Sequence, residues 1–122
     1  WQYQRKYRPL RHRAALILSD HYYFTGVAID PLRYRYSGPS FLAEWMGRHL
    51  PRPHAFIFLE APFEVLYART QEATPQETQA LADRYHQWAS QTPNVFTIDA
   101  SQPLEQVSAQ AARHIVHILQ TL

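Results

Sequence analysis

Cysteine is absent from these 122 residues. Disulfides, thiol catalysis and cysteine metal sites are thereby excluded, and a reducing cytoplasm is permitted. Glycine is scarce: Gly26, Gly38 and Gly47 are the only ones, and Lys6 is the only lysine. These few residues cannot form a G-x-x-x-x-G-K-[ST] loop, whose backbone cradles phosphates. No apolar run approaches the ~20 residues a membrane span needs, so no membrane association is expected. No signal-peptide pattern opens the chain, so no secretory leader is expected. The seven histidines are scattered, without metal-ligand spacing. No repeat, low-complexity tract or internal domain boundary is evident. The chain opens on Trp1 and its only methionine is Met46. Position 1 is therefore not an ordinary translation start, and missing upstream sequence is expected.

What is present fits one globular domain or part of one. Nearly half the residues are apolar and the charge is mixed, which argues against disorder. The net charge of +2 hides an asymmetry. Up to Arg52 there are nine Lys/Arg and three Asp/Glu; beyond it there are three Arg and seven Asp/Glu. The basic part suits phosphate-bearing partners. Residues 1 to 13 interleave Trp and Tyr with Arg and Lys, as a nucleic-acid surface does. The simpler reading is a helix end or loose arm leading into a strand, and no nucleic-acid partner is expected.

Three apolar runs read as strands. Ala14 to Ser19 leads to Asp20, His54 to Leu59 leads to Glu60, and Asn94 to Ile98 leads to Asp99. Each is too short for a helix and suits a buried parallel strand. Parallel strands end on one side, so Asp20, Glu60 and Asp99 are expected along one rim, where open α/β sheets bind ligands. The plainer explanation is that strand ends turn polar where they meet water.

Between the runs the pattern is helical. A helix is predicted from about Pro39 to His49, with Phe41, Leu42, Trp45 and Met46 on one face. Pro62 starts a short helix over Phe63 to Arg69. Thr74-Pro75-Gln76-Glu77 reads as a capping box, and the helix it opens carries a core stripe of Leu81, Tyr85 and Trp88. Pro103 opens a last helix with the stripe Leu104, Val107, Ala111, Ile115, Ile118 and Leu122. Strands alternating with helices predict an α/β fold with right-handed βαβ units. Residues 20 to 38 form a long connection rich in Tyr and Arg, and such loops are more often functional than idle.

The order of these pieces resembles a known family. Asp20-His21-Tyr22 is followed by Asp30-Pro31-Leu32-Arg33-Tyr34-Arg35-Tyr36-Ser37-Gly38-Pro39, then by Phe56-Ile57-Phe58-Leu59-Glu60-Ala61-Pro62. Tyr67-Ala68-Arg69 and Thr97-Ile98-Asp99-Ala100-Ser101 complete the series. Together they resemble the C-terminal two-thirds of the thymidylate kinase-like branch of P-loop nucleoside monophosphate kinases. The resemblance implies a three-layer parallel sheet of the P-loop kinase type, incomplete here, with about three parallel strands and flanking helices. Residues 1–122 would form a single partial domain. It implies ATP and Mg²⁺ as cofactors, a nucleotide substrate, a cytoplasmic location and a homodimer built through helices on one face.

Site residues follow by resemblance. Asp20 takes the place of the family's aspartate near the magnesium and acceptor phosphate. His21 and Tyr22 follow it on the substrate side, with His21 where the family has arginine. A neutral imidazole does not replace a guanidinium fork, so Arg33 or Arg35 is a candidate to supply the charge. Arg69 matches the arginine before the lid, which contacts ATP phosphates; its alternative role is a surface pair with Glu72 or Glu64. The lid, about Thr70 to Thr74, holds no Lys or Arg. Asp99-Ala100-Ser101 matches the loop touching adenine. The strand carrying the phosphate loop would lie between the strands ending at Asp20 and Leu59. Without it the expected activity, γ-phosphoryl transfer from ATP to dTMP or another nucleoside monophosphate, is lost in the chain alone. The alternative is a non-catalytic relative that binds a phosphate ligand or a partner protein.

Overall fold

A computed structural model describes residues 5, 8–10, 13, 16–20, 29–30, 35–49, 51–69 and 73–122. Its elements are α1 (Ser40–His49), β1 (Phe56–Glu60), α2 (Phe63–Arg69), α3 (Pro75–Gln91), β2 (Val95–Asp99) and α4 (Leu104–Thr121). The fold is α/β, with one two-stranded parallel sheet and flanking helices. The strands are short runs of aromatic and β-branched residues, which suit a pleated, partly buried surface. A parallel pair needs a long crossover, and α2 with α3 supplies it.

The ladder is closed at both ends. Register pairs Phe56 with Val95 and Glu60 with Asp99. At the start, the Phe56 N–H donates to the Asn94 carbonyl at 2.9 Å. Asn94 has φ 57°, in the left-handed region that asparagine tolerates. Its side-chain amide also donates to the His54 carbonyl at 3.3 Å. At the far end, the Ala100 N–H donates to the Glu60 carbonyl at 2.7 Å. Phe56, Phe58 and Glu60 therefore turn their backbone groups toward β2, and Ile57 and Leu59 turn theirs away from it.

The faces follow from the alternation of side chains along a strand. Phe56 meets Trp88 edge-on at 5.0 Å between centroids, and Phe58 stacks on Tyr85 at 6.1 Å. The expected inward stripe of α3 thus lies on the Phe56/Phe58 face. Phe96, which pairs with Ile57 and so shares the opposite face, meets His114 and His117 of α4 at 5.0 and 6.0 Å. Ile98, on that same face, is 1 % exposed. Burying one such side chain contributes about 1.5–3 kcal/mol.

The helices match the sequence reading closely, and their apolar faces match it less well. The short helix spans Phe63–Arg69 as expected. Both halves of the capping box form: the Thr74 N–H donates to the Glu77 carboxylate at 2.8 Å, and the Glu77 N–H to the Thr74 hydroxyl at 3.2 Å. In α4 the middle of the stripe is half-buried, but Leu104 and Leu122 are exposed. Eighteen residues of helix run about 27 Å and five of strand about 17 Å, so the helix ends overhang the sheet. On α1 the expected core face is mostly outside. Phe41 is 70 % and Trp45 55 % exposed, whereas the small Ala43 is buried. The turn before α1 is tight: Tyr36 donates its hydroxyl to the Pro39 carbonyl at 2.8 Å. A Cβ at Gly38 would lie 2.6 Å from that hydroxyl oxygen, so this bond needs glycine there.

One expected strand is not formed. Residues 16–19, the described part of the Ala14–Ser19 run, carry no strand, and Leu18 is 69 % exposed. Among the described residues the sheet therefore has two parallel strands rather than the expected three. A strand exists only where a neighbouring strand satisfies its N–H and C=O groups in a ladder, and among the described residues the only ladder is that of β1 and β2.

Candidate functional site

The carboxyl ends of β1 and β2 bring together residues from four elements. Register places Glu60 and Asp99 opposite one another as the last residues of their strands. Two of the three expected acids thus share a rim. Glu60 also faces α3, where His86 Nδ1 lies 3.4 Å from its Oε2, an ion pair when the imidazole is protonated. The same imidazole meets the Phe58 ring edge-on at 5.7 Å.

Beyond β2 the chain turns sharply at Asp99-Ala100-Ser101. Asp99 Oδ1 accepts the Ser101 N–H at 2.8 Å and its hydroxyl at 2.5 Å. The serine hydroxyl first, and the backbone N–H second, hold the Asp99 carboxyl below its ordinary value. Hydrogen bonds to the charged form favour that form. The following peptide carries the Ala100 carbonyl, and Arg69 reaches it from the end of α2. Nη1 and Nη2 of the guanidinium donate to that oxygen at 3.3 and 3.2 Å.

The structure thus joins four of the residues singled out in the sequence: Arg69, Asp99, Ala100 and Ser101. The alternative partners for Arg69 fare differently. No Arg69–Glu64 ion pair occurs among the described residues, and Glu72 lies outside them. Asp20 is exposed after residues 16–19, which carry no strand, and Arg35 is exposed in the turn before α1 with φ 51°. Neither makes a hydrogen bond or ion pair to the Arg69 group. His21, Tyr22 and Arg33 lie outside the described residues.

Two contacts escaped the sequence reading. The Glu60–His86 pair had a usable signal, since His86 adjoins the Tyr85 of the inward stripe and Glu60 ends the strand beneath it. The Arg69–Ala100 contact had none, because a backbone carbonyl 31 residues away leaves no trace in side-chain pattern. Among the described residues no group of three or more His, Asp or Glu could hold a metal ion, and no helix is long and apolar enough to cross a membrane. Mg²⁺ commonly takes one or two carboxylates, with phosphate oxygens and water filling its shell. An exposed single carboxylate such as Asp20 fits that demand.

The family model for thymidylate kinase matches residues 1–111. No match is found among characterised proteins, and none among solved structures.

Proposed function

The chain belongs to the thymidylate kinase family, and we propose that it forms the substrate and lid side of a nucleoside monophosphate kinase acting on dTMP. Its fold in that reading is part of a three-layer P-loop kinase domain, occupying residues 1–122. The single observation that supports it best is the Arg69 guanidinium held over the Asp99–Ser101 turn at the strand ends. Kinases of this kind depend on positioning and charge stabilisation more than on covalent chemistry. A guanidinium offers five donors in a planar fork matched to phosphate oxygens. Arg69 would bind ATP phosphates, with Asp99, Ala100 and Ser101 beside the adenine. Asp20 would hold Mg²⁺ or its water. His21, Tyr22, Arg33 and Arg35 would face the acceptor. Mg²⁺, when bound, neutralises charge on the phosphates. The location in this reading is cytoplasmic, with a homodimer as the assembly.

The 122 residues contain no Gly-rich phosphate loop. The chain by itself is expected to show no ATP-dependent phosphorylation of dTMP above background. Appreciable turnover by the purified chain in a coupled assay would overturn that expectation. Joined to a segment that supplies the loop, it should gain activity. There, Arg69→Ala should lower turnover by about 100-fold with the fold intact; a loss under about threefold would assign Arg69 a surface role. His21 offers a second probe. Imidazole gains charge near ~6.5, so dTMP binding should tighten below that pH, and His21→Arg should strengthen binding and flatten the dependence. Parallel binding curves for the two proteins would remove His21 from the phosphate site.

A second reading rests on specific observations. His21 stands in place of arginine, and Thr70 to Thr74 carries no cation. A non-catalytic relative that binds a phosphate ligand or a partner protein accounts for both. Continued inactivity after the loop is supplied, with ATP or dTMP still bound, would select it.

A further inference from the structure

We infer that the Asp99–Ser101 turn is a positioning device for Arg69, in which Asp99 acts through a single peptide unit rather than by pairing with the guanidinium. The inference rests on the kinase reading only for what Arg69 is positioned to do. Its geometry stands apart from that reading.

The Ala100 carbonyl and the Ser101 N–H belong to one peptide group. That group is planar and trans, so the two point in opposite directions. Asp99 Oδ1 captures the N–H at 2.8 Å, which fixes the plane. The carbonyl is thereby aimed away from the carboxylate, where both Nη atoms of Arg69 meet it. A second constraint precedes it: the Ala100 N–H is tied to the Glu60 carbonyl at 2.7 Å, so the chain enters the turn on the sheet's own ladder. The Ser101 hydroxyl adds a second bond to the same carboxylate oxygen, so the acceptor cannot swing freely. A carboxylate drawing on the N–H also polarises the peptide and makes its carbonyl a stronger acceptor.

The alternative is direct attraction between the Asp99 carboxylate and the guanidinium. No Asp99–Arg69 ion pair occurs among the described residues. Without the turn, Arg69 is an exposed arginine ending a seven-residue helix, free to sample many rotamers. With it, two of its five donors are engaged on one side, and the plane of the fork is set.

The test uses the side-chain Nε–H resonance of Arg69 in the 122-residue chain, together with ATP titration. In the wild type, the Arg69 Nε should be as rigid on the fast timescale as the β2 backbone, and more rigid than Arg113. Asp99→Ala should move the Arg69 resonance toward that of a freely rotating arginine and weaken ATP binding by about tenfold. Asp99→Asn keeps an acceptor oxygen and loses the charge. It should hold the Arg69 resonance near that of the wild type, which a charge role would not allow. Ser101→Ala should give a smaller displacement in the same direction. An Arg69 resonance unmoved in a folded Asp99→Ala protein overturns the inference, and so does Asp99→Asn behaving like Asp99→Ala. If Asp99→Ala does not fold, the wild-type rigidity comparison decides: an Arg69 as mobile as Arg113 overturns it. Absence of ATP binding by the wild type counts against the nucleotide reading, and the resonances still decide the positioning role.

Discussion

Two apolar runs of this chain each end on an acid, and they meet different fates. Phe56 to Leu59 becomes β1, pairs along its length with β2, and delivers Glu60 to a rim shared with Asp99. Residues 16–19, Leu-Ile-Leu-Ser, precede Asp20 and are mainly apolar, yet carry no strand and lie exposed. Phe56 and Phe58 give the β1 run aromatic residues that the other lacks. The β1 run also has a strand beside it. The α2–α3 crossover returns the chain beside β1, and the left-handed turn at Asn94 sets it in register. A strand is a relation between two segments, and an acid at its end joins a site only when that relation exists.

The sharpest way to break the contrast is in the two runs themselves. Phe58→Ala removes ring contacts to Tyr85, His86 and Trp88 and should destabilise the fold by about 3 kcal/mol in urea titration. Leu18→Ala, at an exposed position, should change stability by no more than about 0.5 kcal/mol. Equal losses would mean that both runs are packed alike.

The turn that launches β2 comes next. Asn94→Val places a β-branched residue at φ 57° and should cost about 1–2 kcal/mol, whereas Asn94→Gly should be better tolerated. If valine is accepted without loss, register does not depend on that conformation. A still smaller effect belongs to the crossover. Thr74→Ala removes the cap of α3 and should cost about 1 kcal/mol, with Thr74→Ser close to neutral.

The least effect, and the most specific, is in acid. Bonds from Thr74, backbone first, lower the Glu77 carboxyl, and bonds from Ser101, side chain first, lower Asp99. A depressed folded value means that each contribution is complete above the unfolded value and is lost as pH falls through the folded one. Stability should therefore fall less between wild type and Asp99→Asn at low pH than at neutral pH. Both groups are fully exposed, so the difference should be small. A difference that grows on acidification would reverse the assigned sign.

Much of the chemistry was legible because it is local. Pro62, the Thr74–Glu77 box and the period of Leu81, Tyr85 and Trp88 mark helix starts and faces through interactions within a few residues. The misread faces depended on distance. Phe41 and Trp45 have the spacing of a core stripe, but spacing states which residues share a side and not whether anything covers that side. Of the candidate site, Arg69 and Asp99-Ala100-Ser101 were marked by family resemblance, while their contact was invisible.

The sequence by itself determined where β1, β2 and α1 to α4 form, which carboxylates end the strands, and that no Gly-rich phosphate loop lies within these residues. Turn, cap and periodicity rules act over a few bonds, so the local chain suffices for them. Only the tertiary structure decided that residues 16–19 carry no strand, that α1 shows its aromatic side to solvent, and that Arg69 rests on the Ala100 carbonyl. Each of these is settled by which distant backbone lies alongside, and a backbone N–H or C=O is the same at every residue but proline.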